Sequence, residues 1–568
     1  MAAFLLRTGW IKERFTIKPL QTMVHTKCLL LGFCFLWLGT LSAQNFSYGY
    51  LVEFTDKDNS IYSTERPLEF LSQRAIDRRQ KHNIEITDQD FPVNKIYTDS
   101  LLIFEATLHV TSRWFNSAVF YTSNDSFLIK AQTCSFVNQI SLVYRGGTFK
   151  ASAKKNKWEN LKEGELYGSS FNQISMCNAH KLHEMGYRGN GLHIAVLDAG
   201  FWRADEFSGF DSLFQNSKIL STWDFVSNHT HVFDDNSHGM SVLSTMGGNI
   251  PGELIGTAPE ASYHLFRTEN VDNEFPIEEE NWIVGAEVAD SAGADIITAS
   301  LGYSNYDDDS MSHSYTDMDG KTTRITKGAE LAFSKGIFVV NSAGNEGAAS
   351  WKYITAPSDG ENVLCIGAVN ADQTITSFSS RGPSFDGRVK PDVVAKGGNT
   401  AIIKENGLVG TGNGTSFSGP VMAGMVACFW QALPDYSNKQ ILELVRSYGD
   451  RFSNPNNTYG YGVPDFSKSS FLIDSFNFTQ KTADELVKVY PNPFKDELSF
   501  HLYVKNSREV ELNLYDSFGR KVYEDKRHMN SASYNLVEIQ GLSKFERGIY
   551  FLTIYTDEDI ISKRILKF

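Results

Sequence analysis

The spacing of apolar and polar positions changes character three times along the 568 residues. From Gln44 to about Lys155, aromatic strand-like runs such as YGYLVEF and AVFYTS surround one helical segment, RPLEFLSQRAIDRRQKHNI. The region closes in KASAKKNKWENLKEG, a polar, lysine-rich stretch that predicts a linker. From about Ser175 to Phe466, short apolar runs alternate with helical ones. LHIAVLD (Leu192 to Asp198), ADIITAS (Ala294 to Ser300), GIFVVNSAG (Gly336 to Gly344) and VLCIGAV (Val363 to Val369) are β-branched and too apolar for a half-wet sheet. They predict central strands of a parallel sheet, with HGMSVLSTMGG and ENWIVGAEVADSAG as crossover helices. From about Val487 to Phe568 the texture changes again. ELSFHLYV, EVELNLYDSFGRKVYE, YNLVEIQ, GIYFLTIYT and ISKRILKF, with turns at Asp516 to Gly519 and Asp557 to Asp559, predict a small antiparallel sandwich.

A fourth pattern precedes these. Basic residues (Arg7, Lys12, Arg14, Lys18, Lys27) lead into the apolar run CLLLGFCFLWLGTL, Cys28 to Leu41, and then into LSAQ. Charged, apolar, then small is the order of a secretory signal, with cleavage expected after Ala43, and the run is short for a membrane span of about 20 residues. Met23 is an alternative start. The net charge of -14 and the lack of an extended basic block exclude a nucleic-acid footprint. Cys134, Cys177, Cys365 and Cys428 lie far apart with no CxxC pair, which predicts neither a metal-thiolate site nor a disulfide framework.

In open parallel sheets, sites gather at the carboxyl ends of the strands. Asp198, Ser300 and Asn345 fall at or just past such ends. His238 opens one helical run, with Gly239 letting the chain come close. Ser416 opens another in GNGTSFSGPVMAG, where Gly412, Gly414 and Gly419 leave space around the hydroxyl and Pro420 fits an opening helical turn. Taken singly, each has a plainer reading: a helix cap for Ser416, a strand-end acid for Asp198, a structural imidazole for His238, a turn residue for Asn345. Together they supply what amide hydrolysis needs, namely a nucleophile, its base, a group orienting the base and a donor for the oxyanion.

The stretches IAVLDAGF, HGMSVLSTMGG, GTAPEASYHLFR, ADIITASLGY, NSAGNEG, SFSSRGP, KPDVVAKG, GNGTSFSGPVMAG and YGYGVPD resemble the successive motifs of subtilisin-like serine peptidases over about half the chain. The resemblance implies Asp198 as orienting carboxylate, His238 as general base, Ser416 as nucleophile and Asn345 as oxyanion donor. It also implies Ser300, Leu301 and Gly302 as the strand that pairs with a peptide substrate. It implies no cofactor for the chemistry and allows structural calcium, for which VFDDNS and YDDDS are the candidate runs. Ala199, Phe201, Phe417, Ser418, Thr298 and Ala299 depart from the commonest family pattern without removing a reacting atom. The order Asp, His, Ser and the serine at 418 argue against an α/β-hydrolase esterase, leaving an inactive surface or adhesion protein on the same scaffold as the alternative.

The segment before the peptidase is similar to the pro-regions of secreted subtilases. VYPNPFKDELSF, LYDSFGRKVYE, RGIYFLTIYT and the terminal SKRILKF resemble the C-terminal sorting domain of the Bacteroidetes type IX secretion system. The resulting expectation is a subtilisin-like α/β domain with helices on both faces of its sheet, preceded by an α+β pro-region and followed by a β-sandwich. Its bounds are a signal at 1–43, a pro-region at 44–155, a peptidase at 156–470, a linker at 471–486 and a sorting domain at 487–568. The mature form would be a monomer at or beyond the cell surface with no transmembrane anchor. Its partners would be protein or peptide substrates and the type IX machinery.

Overall fold

The computed structural model describes residues 48–146, 166–470, 472–473, 487, 489–504, 509–530, 533–556 and 560–568. The expected signal, most of the two linkers and the turn at Asp557 to Asp559 lie outside the described residues. The chain divides into two compact units, Met1–Ser467 and Lys468–Phe568.

The first unit begins with a four-stranded antiparallel sheet in the order Ala106–Ser112, Ser117–Thr122, Tyr48–Phe54, Val137–Arg145. Helices Gln73–Lys81 and Lys95–Leu102 start at Ser72 and Asn94, whose side chains accept from Ala75 N and Ile96 N, as N-cap residues do. Val52, Phe54, Leu101, Phe120 and Phe127 form the core of this part.

The larger sheet has seven parallel strands in the order Val393–Lys396, Leu364–Val369, Phe338–Ser342, Ile296–Ala299, His193–Asp198, Ser262–Arg267, Ile219–Asp224. Ile194, Ala195, Val196 and Leu197 are all fully buried, which is why this strand reads as an uninterrupted apolar run. The two strands that follow it in sequence lie to one side of it, and Ile296–Ala299 lies on the other. This reversal of direction places a crevice at the carboxyl ends of the two central strands. Helix Thr415–Ala432 packs against four strands and against helix His238–Gly247, and all but one of its residues are buried, so it is apolar on every face.

Helix Ile277–Ala292 joins the two sheets, because the N-terminal sheet packs on it through strand Ala106–Ser112. The contact is charged. Asp290, fully buried, accepts from Arg78, from Arg79 at 2.7 Å and from Arg113 at 2.8 Å. Glu287 accepts from Ser112 Oγ at 2.6 Å and from the amides of Arg113 and Trp114 at 2.9 and 3.1 Å, so it caps the turn between two N-terminal strands. No helix among the described residues is long and apolar enough to cross a membrane.

The second unit is all β. Leu498–Val504 pairs with Ser533–Ile539, and a four-stranded antiparallel sheet runs Lys521–His528, Glu509–Asp516, Gly548–Tyr555, Ile560–Lys567. Phe494, Phe500, Leu512, Leu514, Val537 and Leu552 lie in its core. Asp516 accepts from the amides of Phe518 and Arg520, closing the turn expected there.

Candidate active site

Asp198 is the last residue of its strand and is fully buried. Its Oδ1 accepts from the Ala199 amide at 2.7 Å and pairs with His238 Nδ1 at 2.7 Å, while Oδ2 has no hydrogen-bond partner. The imidazole is placed from the other side. His238 is the first residue of its helix, its amide donates to Asn236 Oδ1, and the following glycine makes the close approach possible. A Cβ on Gly239 would stand 2.5 Å from the Gly200 carbonyl and 2.8 Å from Asp198 Cβ, closer than real Cβ contacts come. Burial by itself would push the His238 imidazole down, but the charge and hydrogen bond of Asp198 together hold it above the usual histidine range.

Ser416 is the second residue of helix Thr415–Ala432. The N-cap is Gly414 at φ 152°, and no side chain caps the helix, so Ser416 does not serve as one. Pro420 is the sixth helical residue rather than part of the opening turn, and its position has a local consequence. A proline has no N–H to give the carbonyl four residues back. The Ser416 carbonyl that this leaves open accepts instead from Ser300 Oγ at 2.8 Å, at the end of a central strand. One residue earlier, the Thr415 carbonyl accepts from Ser342 Oγ at 2.8 Å. Gly419 permits that approach, since its Cβ would lie 2.8 Å from Ser342 Oγ, and a Cβ on Gly412 would meet the Phe417 ring at 2.4 Å. Of the three glycines expected to clear space for substrate, these two serve packing. Only Gly414 borders the hydroxyl, with Ser416 Oγ 3.7 Å from its Cβ position.

Asn345 is exposed, just past the strand Phe338–Ser342. Its Oδ1 accepts from Thr415 N at 2.9 Å and Thr415 Oγ1 at 3.0 Å, so the carbonyl end of the amide is fixed and the NH₂ end is the part left for a ligand. The Phe417 ring lies 6.2 Å from the His238 ring, so the start of the helix that carries Ser416 passes close to the imidazole. A strand end and a helix start thus bring Asp198 to His238, and a second strand end and helix start bring Asn345 to Thr415, next to Ser416.

Leu301 is half-buried and Gly302 exposed beside this crevice. The Leu301 carbonyl accepts from Asn341 Nδ2 at 2.9 Å, and a Cβ on Gly302 would sit 2.1 Å from Thr355 Oγ1. Two aspartates of the acidic runs that were candidates for calcium are ion-paired. Asp235 pairs with Arg267 at 3.2 Å, and Asp308 pairs with Arg145 at 3.0 Å. The parts of the site that sequence reasoning missed are the hydroxyls of Ser300 and Ser342 as supports of the helix start. The signal for the first was Pro420 itself, whose missing N–H requires a substitute donor.

Residues 189–462 match the subtilase family, residues 49–160 the peptidase S8 propeptide domain of Bacteroidota, and residues 488–567 the secretion system C-terminal sorting domain. The chain is similar to subtilisin E of Bacillus subtilis (strain 168), 30% identical over 296 residues that cover 51% of this chain and 68% of that protein. It belongs to the subtilase family. Other similar members are the subtilisin of Bacillus pumilus, 30% identical over 48% of this chain and 89% of that protein, and serine protease AprX of Bacillus subtilis (strain 168). The AprX match is 29% identical over 48% of this chain and spans 65% of AprX, just under two thirds of its length. The subtilase and propeptide matches, taken with the sorting domain, support a secreted, subtilisin-like serine-type endopeptidase with its propeptide. The sorting domain marks it for type IX export to the cell surface or beyond.

Proposed function

We propose that this subtilase hydrolyses peptide bonds through an Asp198, His238, Ser416 triad and an acyl-enzyme intermediate. Ser416 Oγ attacks the scissile carbonyl while His238 Nε2 takes its proton. The oxyanion that forms accepts from the Asn345 amide, and collapse expels the amine with the proton from His238, leaving an ester on Ser416. Water then attacks that ester, giving a proton to the imidazole, and the second collapse returns it to Ser416. Asp198 orients the imidazole and stabilises the imidazolium. The observation that carries this reading is the 2.7 Å contact from a fully buried Asp198 to His238 Nδ1, which fixes the ring so that Nε2 is the free nitrogen.

Substrate is taken along Ser300, Leu301 and Gly302. In extended backbone, successive carbonyls point to opposite sides. The Leu301 carbonyl is taken by Asn341, so Ser300 and Gly302 on either side of it are the positions we assign to pairing with a peptide added as a further strand. No cofactor enters any step. The chain works as a precursor: a signal at 1–43, a pro-region at 44–155, the peptidase at 156–470, a linker at 471–486 and the sorting domain at 487–568, the last engaging the type IX machinery. The mature enzyme is a monomer acting on proteins or peptides.

Labelling with a fluorophosphonate probe and assay on a peptide library test the reading. The parent is expected to be labelled and active. Ser416→Ala is expected to be unlabelled and to lose about 10⁶-fold in kcat, a magnitude carried over from subtilisin, with its circular dichroism unchanged. A parent that takes no probe and cleaves nothing would leave the inactive surface protein as the better account.

A further inference from the structure

From the end of strand Ser262–Arg267 to the first turn of helix Ile277–Ala292, three carboxylates converge. Glu269, Glu274 and Glu278 each present one oxygen, and these oxygens lie within 4.8 Å of one another. Glu269 is 7% exposed and Glu278 1% exposed, while Glu274 is half-buried and forms the outer side of the group.

Other acids of the same helix show what a satisfied buried carboxylate looks like here. Glu279 is paired with His313 at 2.6 Å, Glu280 is paired with Arg324, and Glu287 accepts two amides and a hydroxyl. Among the described residues the cluster has no such counterpart. There Glu269 accepts from neutral groups, Thr268 Oγ1 at 3.0 Å and the Tyr303 hydroxyl. Glu278 Oε1 accepts from Asn270 N at 2.7 Å, and its Oε2, buried among the other two carboxylates, has no hydrogen-bond partner. A buried carboxylate oxygen without a partner is costly, and like charges beside it add to the cost.

We propose that Glu269, Glu274 and Glu278 form a binding site for one divalent cation of the calcium class. All three donors are hard oxygens, with no imidazole or thiolate among them, which suits calcium rather than zinc or copper. Calcium binds oxygen at about 2.3–2.6 Å, so ligands on opposite sides of one ion stand roughly 4.6–5.2 Å apart, and water completes the shell. Oxygens within 4.8 Å of one another fit around such an ion. The position gives the ion a task. The segment holding Glu269 begins at Thr268, whose amide donates to the Asp198 carbonyl at 2.9 Å, and the Tyr303 that bonds Glu269 follows directly on Gly302. A cation here ties the stretch beside Asp198 to the stretch beside the proposed substrate strand.

The full chain carrying Ser416→Ala, which blocks self-cleavage, is stripped with chelator. It is then titrated with Ca²⁺ by calorimetry and with Tb³⁺ by luminescence, Tyr303 acting as sensitiser. The expected result is one equivalent of Ca²⁺, a higher Tm in calcium than in chelator, and sensitised terbium emission that calcium quenches. Glu278→Gln and, at the half-buried position, Glu274→Gln are each expected to weaken uptake by roughly ten-fold or more. In chelator both should be at least as stable as the parent, because each removes a repelling charge; a purely structural carboxylate would give the opposite. Lower stability of both variants in chelator therefore overturns the proposal. So does a parent with no calcium uptake and the same Tm in both conditions, in which case the carboxyls share protons instead. Undiminished uptake in both variants places the ion elsewhere and overturns it as well.

Discussion

Asp198 and Asp290 are both fully buried carboxylates in the same compact unit, and they are held in opposite ways. Asp198 relies on its own neighbourhood, an amide next along the chain and an imidazole that a glycine allows to come close. Asp290 relies on three guanidinium groups, and Arg78, Arg79 and Arg113 all come from the stretch that matches the propeptide domain. Two buried charges of equal exposure therefore differ in what happens when the N-terminal segment is cut away. The first keeps all of its partners and the second loses all of its arginines. A charged contact of this kind suits a surface that must later separate, since both faces can return to water, whereas an apolar one would leave a sticky patch.

The largest effect that would sharpen this contrast is on catalysis. Asp198→Asn is expected to lower kcat by about 10⁴-fold, the scale found when the carboxylate of a serine-peptidase triad is removed, while the precursor keeps its propeptide contacts. The acid limb of the pH–rate profile checks the cause. His238 sits above its usual range because of Asp198, and it must be neutral to act as base, so parent activity rises with pH through that raised value. In the variant the limb moves to lower pH. Stability runs the other way: the Asp198–His238 pair contributes fully below about pH 6.5, the unfolded value, and that contribution is lost as pH rises through the folded one.

Asp290→Ala addresses the other side. Removing one partner of a buried ion cluster costs about 3–5 kcal/mol, here in the stability of the precursor measured by denaturant unfolding, with kcat of the matured enzyme unchanged. A matching loss of kcat in the matured enzyme would break the comparison. Asn345→Ala is expected to cost about 10²–10³-fold in kcat with little change in KM, as loss of an oxyanion donor does. The smallest effect concerns His109 on the N-terminal sheet, which bonds Asn281 of helix Ile277–Ala292 at 3.0 Å and which burial pushes down to about 4. A depressed histidine contributes stability above about pH 6.5 and loses it as pH falls toward 4. The precursor should loosen over that window, as read by limited proteolysis, and His109→Gln should flatten this part of the response.

The two regions also differ in how far their sequences could be read. Strands such as His193–Asp198 are buried on both faces, so the apolar run announces them locally, and Asp198, His238 and Ser416 stand at element boundaries where a local pattern changes. Asp290 lies inside ENWIVGAEVADSAG and looks there like any acid on a helix. Its arginines are 177 to 212 residues away, and no periodicity links them. Glu269, Glu274 and Glu278 were hidden differently: they are close in sequence, but only the bend between strand and helix turns them toward one another. Gly412 and Gly419 were legible as small residues but not in purpose, since the atoms that would collide with their Cβ positions include side chains brought in from other strands.

The hydroxyls of Ser300 and Ser342 carry a last consequence. The opening turn of a helix is ordinarily where it frays, with fluctuations that exceed those of the elements around it. Here that turn is riveted by two side chains at the ends of neighbouring central strands, so the position of Ser416 takes its stiffness from the sheet. Warming the protein should soften its rim long before it blurs the aim of that hydroxyl.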